Sequence, residues 1–335
     1  MVDPFRAYRV FQEDGAIRGR LVQVSLDEIA AGEVVARVAY SGVNYKDALA
    51  ATGAGKIMRR FPLVGGIDFA GTVVTSSDAR FAAGDDVLVT GYSLGESHDG
   101  GFADYVRVPA DWVVPLPAGL GLRDAMAIGT AGFTAALSVV EMERNGLHPS
   151  GGPVAVTGAT GGVGSLAVQC LAAGGYEVTA ITRKADAHGF LRSQGAAEVL
   201  SAGELAMGTR PLEKSVWAGA VDPVGGETLA WLTRTMKRGG CIASSGLTGG
   251  IELHTTVMPF ILRGVKLLGI DSSMCAMDVR QEVWRRLATD LKPAHLAATS
   301  RSISLEELPE AFATLLRGEA RGRYVVRIAG GPAQG

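Results

Sequence analysis

Cysteine is scarce. Cys170, Cys241 and Cys275 stand far apart in a chain of 335 residues. They supply neither a disulfide framework nor a Cys-x-x-Cys metal knuckle, so a reducing, cytoplasmic compartment is expected. An excess of one charge is also missing. Lys+Arg 32 against Asp+Glu 34 leaves −2, which argues against nucleic-acid binding. No uninterrupted apolar run is long enough to span a bilayer, so no membrane role is expected. The first residues carry Arg6, Arg9, Glu13, Asp14 and Arg18, which leaves no room for the apolar core of a signal peptide. Internal repeats and low-complexity segments are absent.

What is present is ample apolar material. Hydrophobic residues make up 47% and charged residues 20%, enough for a large core, and the length suggests two domains. The first third is crowded with short β-like runs and glycines: residues 5–11, 32–40, a loop running into a strand over 61–74, and strands at 84–90 and 102–108. That texture suggests a small barrel-like β domain. Residues 41–48 read as a turn opening a short helix. Beyond Pro115 the texture changes. Residues 122–140 are helical in pattern. Strand patterns at 154–157, 177–182, 198–200, 218–222 and 241–245 then alternate with helical ones at 163–174, 186–194 and 225–236. The alternation predicts a parallel, doubly wound sheet. Residues 265–270 read as one more strand, 279–291 and 305–318 as helices, and 323–328 as a closing strand.

One stretch carries the clearest chemistry. Pro153-Val-Ala-Val-Thr157 runs into Gly158-Ala159-Thr160-Gly161-Gly162-Val163-Gly164-Ser165. Strand, glycine turn and helix form the setting in which a dinucleotide pyrophosphate lies on the first helical turn. The register is Ala159-x-Gly161-x-x-Gly164, with alanine in the first glycine slot. The next strand ends Thr182-Arg183-Lys184. An Asp or Glu there would accept from the ribose 2′-hydroxyl of NAD. A hydroxyl and two cations suit a 2′-phosphate instead, so the reading is NADP(H).

Across nearly its whole length the chain resembles the medium-chain dehydrogenase/reductases, and within them the acrylyl-CoA reductase (NADPH) group of quinone-oxidoreductase-like proteins. The segments carrying the resemblance include Asn44-Tyr45-Lys46-Asp47-Ala48-Leu49, Gly65-Gly66-Ile67-Asp68-Phe69-Ala70-Gly71-Thr72, the glycine turn itself, and Thr256-Val257-Met258-Pro259-Phe260-Ile261-Leu262-Arg263. The resemblance implies an α/β fold: a Rossmann doubly wound sheet at 126–273 and a β-rich GroES-like barrel catalytic domain from 1–125 and 274–335. It also removes zinc. Zinc-dependent relatives have Cys in the turn that here holds Gly42-Val43-Asn44 and His-Glu where this chain has Ile67-Asp68. Their four-cysteine lobe has no counterpart. His98, His148, His188, His254 and His295 are too scattered to supply the roughly three ligands of a catalytic zinc site. Without a Lewis acid, reduction of an activated C=C bond is the better fit.

The implied activity is NADPH-dependent reduction of acrylyl-CoA to propanoyl-CoA. A quinone or 2-alkenal reductase on the same fold, and a non-catalytic NADPH-binding protein, stand as rivals. Tyr45 is expected in the turn that faces the cofactor. Two readings stand for it: proton donor, or ring packed on the nicotinamide. Asn44 is expected to support it by hydrogen bonding. Asp68 is read either as orienting Lys46 or a water, or as half of a structural ion pair. Thr130, Ile261 and Ser272 are expected beside the nicotinamide and substrate, and Arg323 is expected to reach the cofactor phosphates. Lys56, Arg59 and Arg60 form a cationic segment, read either as a clamp on the CoA phosphates or as a solvated face. Residues 265–270 are expected at a sheet edge that pairs with a second copy in a homodimer.

Overall fold

The computed structural model describes residues 4–328 and divides them into two compact units. The first comprises the residues up to Thr130, Ser273–Gln281 and those from Leu296; the second comprises Ala131–Ser272 and Glu282–His295.

The first unit is mostly β. It opens with a hairpin, β1 (Phe5–Glu13) and β2 (Ala16–Val24), in full antiparallel register from Phe5↔Val24 to Glu13↔Ala16. The second strand of this pair is absent from the sequence reading. Its alternation is masked by arginines at 18 and 20, and only the Asp14-Gly15 turn signals it. Next come β3 (Val34–Val43), helix α1 (Tyr45–Thr52), the two-residue β4 (Leu63–Val64), β5 (Asp68–Ser76), β6 (Asp86–Thr90), β7 (Tyr105–Val108) and β8 (Val114–Pro115). Strand β3 runs to Val43, further than its own sequence suggests. The reason is tertiary: its end pairs antiparallel with a strand from the other end of the chain, Val43 opposite Tyr324. Its start pairs with β7, and its other side pairs with β5. Val34, Val38, Phe69, Val87, Phe102 and Phe312 meet in one core. Burial of this kind contributes about 25 cal/mol per Å² of apolar surface.

Helix α2 (Leu122–Arg144) is interrupted at Gly129, whose φ of +50° and ψ of −159° are not helical. It is the one described helix with the length and composition to cross a membrane, and 89% of its most apolar window is buried.

The second unit alternates as its sequence predicts. It contains β9 (Val154–Val156), α3 (Gly162–Ala173), β10 (Val178–Thr182), α4 (His188–Ser193), β11 (Glu198–Ser201), β12 (Trp217–Asp222), α5 (Gly226–Thr235), β13 (Met236–Ser244), α6 (Met258–Arg263) and β14 (Lys266–Gly269). The six strands lie parallel in the order β11-β10-β9-β12-β13-β14. Every residue of β9, β10 and β12 is buried, as strands covered on both faces require. The order reverses between β9 and β12, which is where ligands bind in such sheets, beyond the carboxyl ends of the strands.

Last come α7 (Met277–Ala288), α8 (Leu296–Thr299), β15 (Ser300–Ile303), α9 (Leu308–Leu316) and β16 (Arg323–Arg327). Strands β15 and β16 are parallel, and β16 joins β3 in the first unit.

Candidate active site

In the first unit a group of polar side chains is buried where β3, β5, β16 and α1 meet. Asp68 opens β5 and is fully buried. One of its oxygens accepts from the Gly42 N–H at 2.8 Å. The other accepts from Asn44 Nδ2 at 3.1 Å and the Thr130 N–H at 2.8 Å. Arg323 opens β16, also buried, with Nη2 at 3.8 Å from Asp68. Its guanidinium donates to the Val43 carbonyl at 2.8 Å, Asn44 Oδ1 at 2.9 Å and the Ala127 carbonyl at 3.3 Å.

Glycine makes room for this pair. A Cβ at Gly42 or at Gly129 would lie 2.6 Å from Arg323 Nη2 and as close as 2.6–2.8 Å to Asp68. The left-handed kink at Gly129 is what turns the next N–H, that of Thr130, onto Asp68.

Asn44 caps α1, and Tyr45 is the first helical residue, 42% exposed. Asp47 reaches back to the Asn44 N–H at 2.8 Å, the return half of a capping box. Its other oxygen accepts from the Ile67 N–H at 2.9 Å, fixing the chain just before Asp68. Burial, with the Asp68 charge adding to it, pushes the Asp47 carboxyl up to about 7. Burial holds the Arg323 guanidinium below its ordinary value, opposed by Asp68 and Asp47.

The structure places the expected residues of this unit as follows. The guanidinium of Arg323, expected at the cofactor phosphates, is enclosed by Val43, Asn44, Ala127 and Asp68. The Lys46 ammonium pairs with Glu96 at 2.9 Å, and Asp68 lies 3.8 Å from the Arg323 guanidinium. The Asn44 amide is engaged at both ends, by Asp68 and by Arg323. Arg60 is bound to buried Asp99 at 2.8 Å and to the Ser97 carbonyl, while Lys56 and Arg59 are exposed. The residues missed outright are Asp47 and the Asp68–Arg323 partnership. The Asn-x-x-Asp spacing signals Asp47 as a helix cap, whereas nothing local signals a partner at 323.

In the second unit the glycine turn joins β9 to α3, with Gly161 as N-cap. The N–H groups of Gly162, Val163 and Gly164 begin the helix, where no intrahelical acceptor exists, and so present donors to an anion. Its two key glycines differ in kind. A Cβ at Gly164 would sit 2.4 Å from the Gly158 carbonyl oxygen, so the turn itself demands glycine. A Cβ at Gly161 would meet only that oxygen, at 3.4 Å, so the protein leaves space there. Ala159 and Thr160 are buried, and the Ala159 N–H is bonded to the Ile181 carbonyl at 3.1 Å, which braces the turn. At the end of β10, Thr182 is buried and its hydroxyl accepts from the Lys184 N–H at 3.0 Å, shaping the loop that exposes Arg183. Ile261 is 71% exposed on α6, and Ser272 accepts from the Thr134 hydroxyl at 2.8 Å.

With this geometry in hand, the comparisons are specific. Residues 30–118 match the family described as alcohol dehydrogenase GroES-like domain, and residues 162–289 match the family described as zinc-binding dehydrogenase. The chain is 50% identical to the putative quinone oxidoreductase YhfP of Bacillus subtilis, over 97% of this chain and 99% of that protein. It is 48% identical to the probable acrylyl-CoA reductase AcuI of Escherichia coli, over 95% and 98%. The chain belongs to the medium-chain dehydrogenase/reductase superfamily. Two solved structures of that superfamily superpose on it closely. The yhdH oxidoreductase from Salmonella enterica, in complex with NADP, gives a TM-score of 0.94 at 48% identity, covering 96% of this chain and 99% of that one. Bacillus subtilis yhfP, with NAD bound, gives 0.95 at 50% identity, covering 98% and 100%. The GroES-like and Rossmann-like folds of the superfamily are those seen here.

One matching family is named for zinc, and the residues here do not suit that metal. Both Asp68 oxygens are engaged by N–H donors, and the neighbouring positive charge is a guanidinium rather than a space for a cation. Among the described residues no three His, Cys, Asp or Glu side chains group as ligands.

Proposed function

We propose that this chain is an NADPH-dependent, zinc-free reductase of the activated C=C bond of a short enoyl thioester, converting acrylyl-CoA to propanoyl-CoA in the cytoplasm. The observation that carries the reading is 48% identity to the probable acrylyl-CoA reductase over 95% of the chain. The reading takes residues 1–125 and those from 274 onward as catalytic domain and residues 126–273 as nucleotide domain.

The glycine turn, through the N–H groups opening α3, would hold the pyrophosphate, and Arg183 with Lys184 the 2′-phosphate. When bound, the reduced nicotinamide supplies hydride for the substrate β-carbon. The resulting enolate must gain a proton at the α-carbon. Tyr45, exposed at the start of α1 beside the Asn44 cap, is assigned the role of proton donor or relay. Asn44 and Asp68 are assigned positioning roles: they fix the strand end and helix cap from which Tyr45 projects. Lys56 and Arg59 remain as exposed cations for CoA phosphates.

A second reading, quinone or 2-alkenal reduction, is favoured by the name of the 50% identical relative. Parallel turnover of acrylyl-CoA, crotonyl-CoA, acrolein and a quinone, each with NADPH and NADH, separates the two. Clear preference for the aldehyde or the quinone overturns the thioester assignment, and equal use of NADH overturns the cofactor assignment.

The proposal includes a homodimer. Strand β14 is the outermost of its sheet, and Val257, Ile261, Leu262 and Leu267 beside or on it are exposed and apolar. A monomeric mass by light scattering at assay concentration refutes this part.

A further inference from the structure

The sheet order of the second unit reverses between β9 and β12. Across that reversal runs a side-chain hydrogen bond. The hydroxyl of Thr157, the residue that follows β9 and opens the glycine turn, donates to Asp222 Oδ1 at 2.5 Å. Asp222 ends β12 and has no exposed surface.

Asp222 has no cationic partner among the described residues; N–H groups and the Thr157 hydroxyl satisfy it. Its other oxygen accepts from the Gly225 N–H at 2.9 Å, and Oδ1 also takes the Val224 N–H at 3.3 Å. This one carboxylate therefore fixes the loop after β12 as well as the loop after β9. A third loop is held through the second. The Gly249 N–H bonds the Val224 carbonyl at 2.7 Å, Gly225 bridges to Gly250, and the Ser245 N–H bonds the Asp222 carbonyl at 2.9 Å. The fit is close. A Cβ on Gly158 would meet Val224 Cγ2 at 3.0 Å, and one on Gly246 would meet the Pro223 oxygen at 2.2 Å.

Burying a carboxylate without a counter-ion is unfavourable unless every bond to it is made. Burial accordingly raises the Asp222 carboxyl above its ordinary range, with the Thr157 hydroxyl and the Gly225 and Val224 N–H groups opposing that shift. A hydrophobic contact between the loops would hold the fold without this expense. The tie that replaces it is directional, and it joins the loops at the carboxyl ends of β9, β12 and β13, where a doubly wound sheet binds its ligand.

We infer that Asp222, through Thr157, is a positioning residue for the dinucleotide: it sets the glycine turn against the loops after β12 and β13 and touches no substrate itself. The inference rests on the NADPH-binding reading above. By this account the turn without the tie still forms, because Thr157 and Ala159 keep their backbone bonds to Val221 and Ile181. It is no longer held at the spacing the cofactor needs.

The test uses Thr157→Val, which removes the hydroxyl at nearly constant volume, Thr157→Ser, which restores it, and Asp222→Asn, which removes the charge. NADPH dissociation constants come from the enhancement of its fluorescence on binding, alongside melting temperatures and KM for both substrates. Thr157→Val is expected to weaken NADPH about tenfold, the loss of one hydrogen bond to a charged group. Thr157→Ser should recover most of this, and KM for the thioester should move much less than KM for NADPH. Thr157→Val binding NADPH within twofold of the parent overturns the inference, as does a fall in melting temperature with unchanged affinity in the folded fraction. If Thr157→Val does not fold, unaltered NADPH affinity in Asp222→Asn overturns it equally. A parent protein that binds no NADPH defeats the cofactor reading instead, and the two failures are distinct.

Discussion

Replacing Arg323 with methionine removes the guanidinium from the first unit while keeping much of the side chain's volume. The loss is threefold. Three hydrogen bonds go, to Val43, Asn44 and Ala127. The ion pair at 3.8 Å goes with them; at an effective dielectric of roughly 20 such a pair is worth about 4 kcal/mol. Asp68 then remains buried and charged with only N–H donors around it. Removing one member of a buried pair costs about 3–5 kcal/mol, a large share of the roughly 5–15 kcal/mol that holds a domain folded. Urea unfolding reads the global loss. Hydrogen exchange followed by mass spectrometry reads where it falls, with protection expected to drop in β3, β5 and β16 and to hold in β9 and β12. Adding Asp68→Asn removes the orphaned charge, so the double variant should be destabilised by less than the sum of the singles. A loss under about 1 kcal/mol in Arg323→Met, or strict additivity in the double variant, would refute the reasoning.

Three further outcomes are expected. Gly161→Ala should leave the melting temperature nearly unchanged and weaken NADPH binding, because its Cβ meets only one protein atom at 3.4 Å; Gly164→Ala should lower the melting temperature, because its Cβ would lie 2.4 Å from a backbone oxygen. The reverse order of effects would contradict the assignment of that space to a ligand. Arg183→Ala with Lys184→Ala should weaken NADPH far more than NADH, and equal losses in a binding titration count against the 2′-phosphate role. Asp47 titrates at about 7 in the folded protein, above its unfolded value. The folded state therefore binds the extra proton between about pH 4 and 7, and stability falls as pH rises through that window, by at most about 1.4 kcal/mol per unit. Asp47→Asn should flatten that part of the melting-temperature profile; a slope identical to the parent's assigns the effect to another group.

What could be read from the sequence was whatever neighbouring residues determine among themselves. The glycine turn after 154–157, the cations after Thr182 and the alternation of the second unit all depend on contacts within about one supersecondary unit. The capping spacing of Asn44 and Asp47 is equally local, although its consequence for Asp68 is not. The tertiary structure decided the rest. Arg323 and Asn44 are 279 positions apart, and no periodicity links them. They meet because β16 pairs with the end of β3, which also carries β3 beyond the point where its own pattern stops. Arg323 was expected to reach the cofactor phosphates, and nothing local in the sequence points to a buried partner; it is internal because Asp68, two glycines without side chains and three acceptors surround one place in the folded chain. Sequence alone thus determined the nucleotide turn, where the physics is backbone geometry over a dozen residues. Only folding decided the buried polar group beneath Tyr45, where the physics is a desolvated charge that must find its partners wherever the chain brings them.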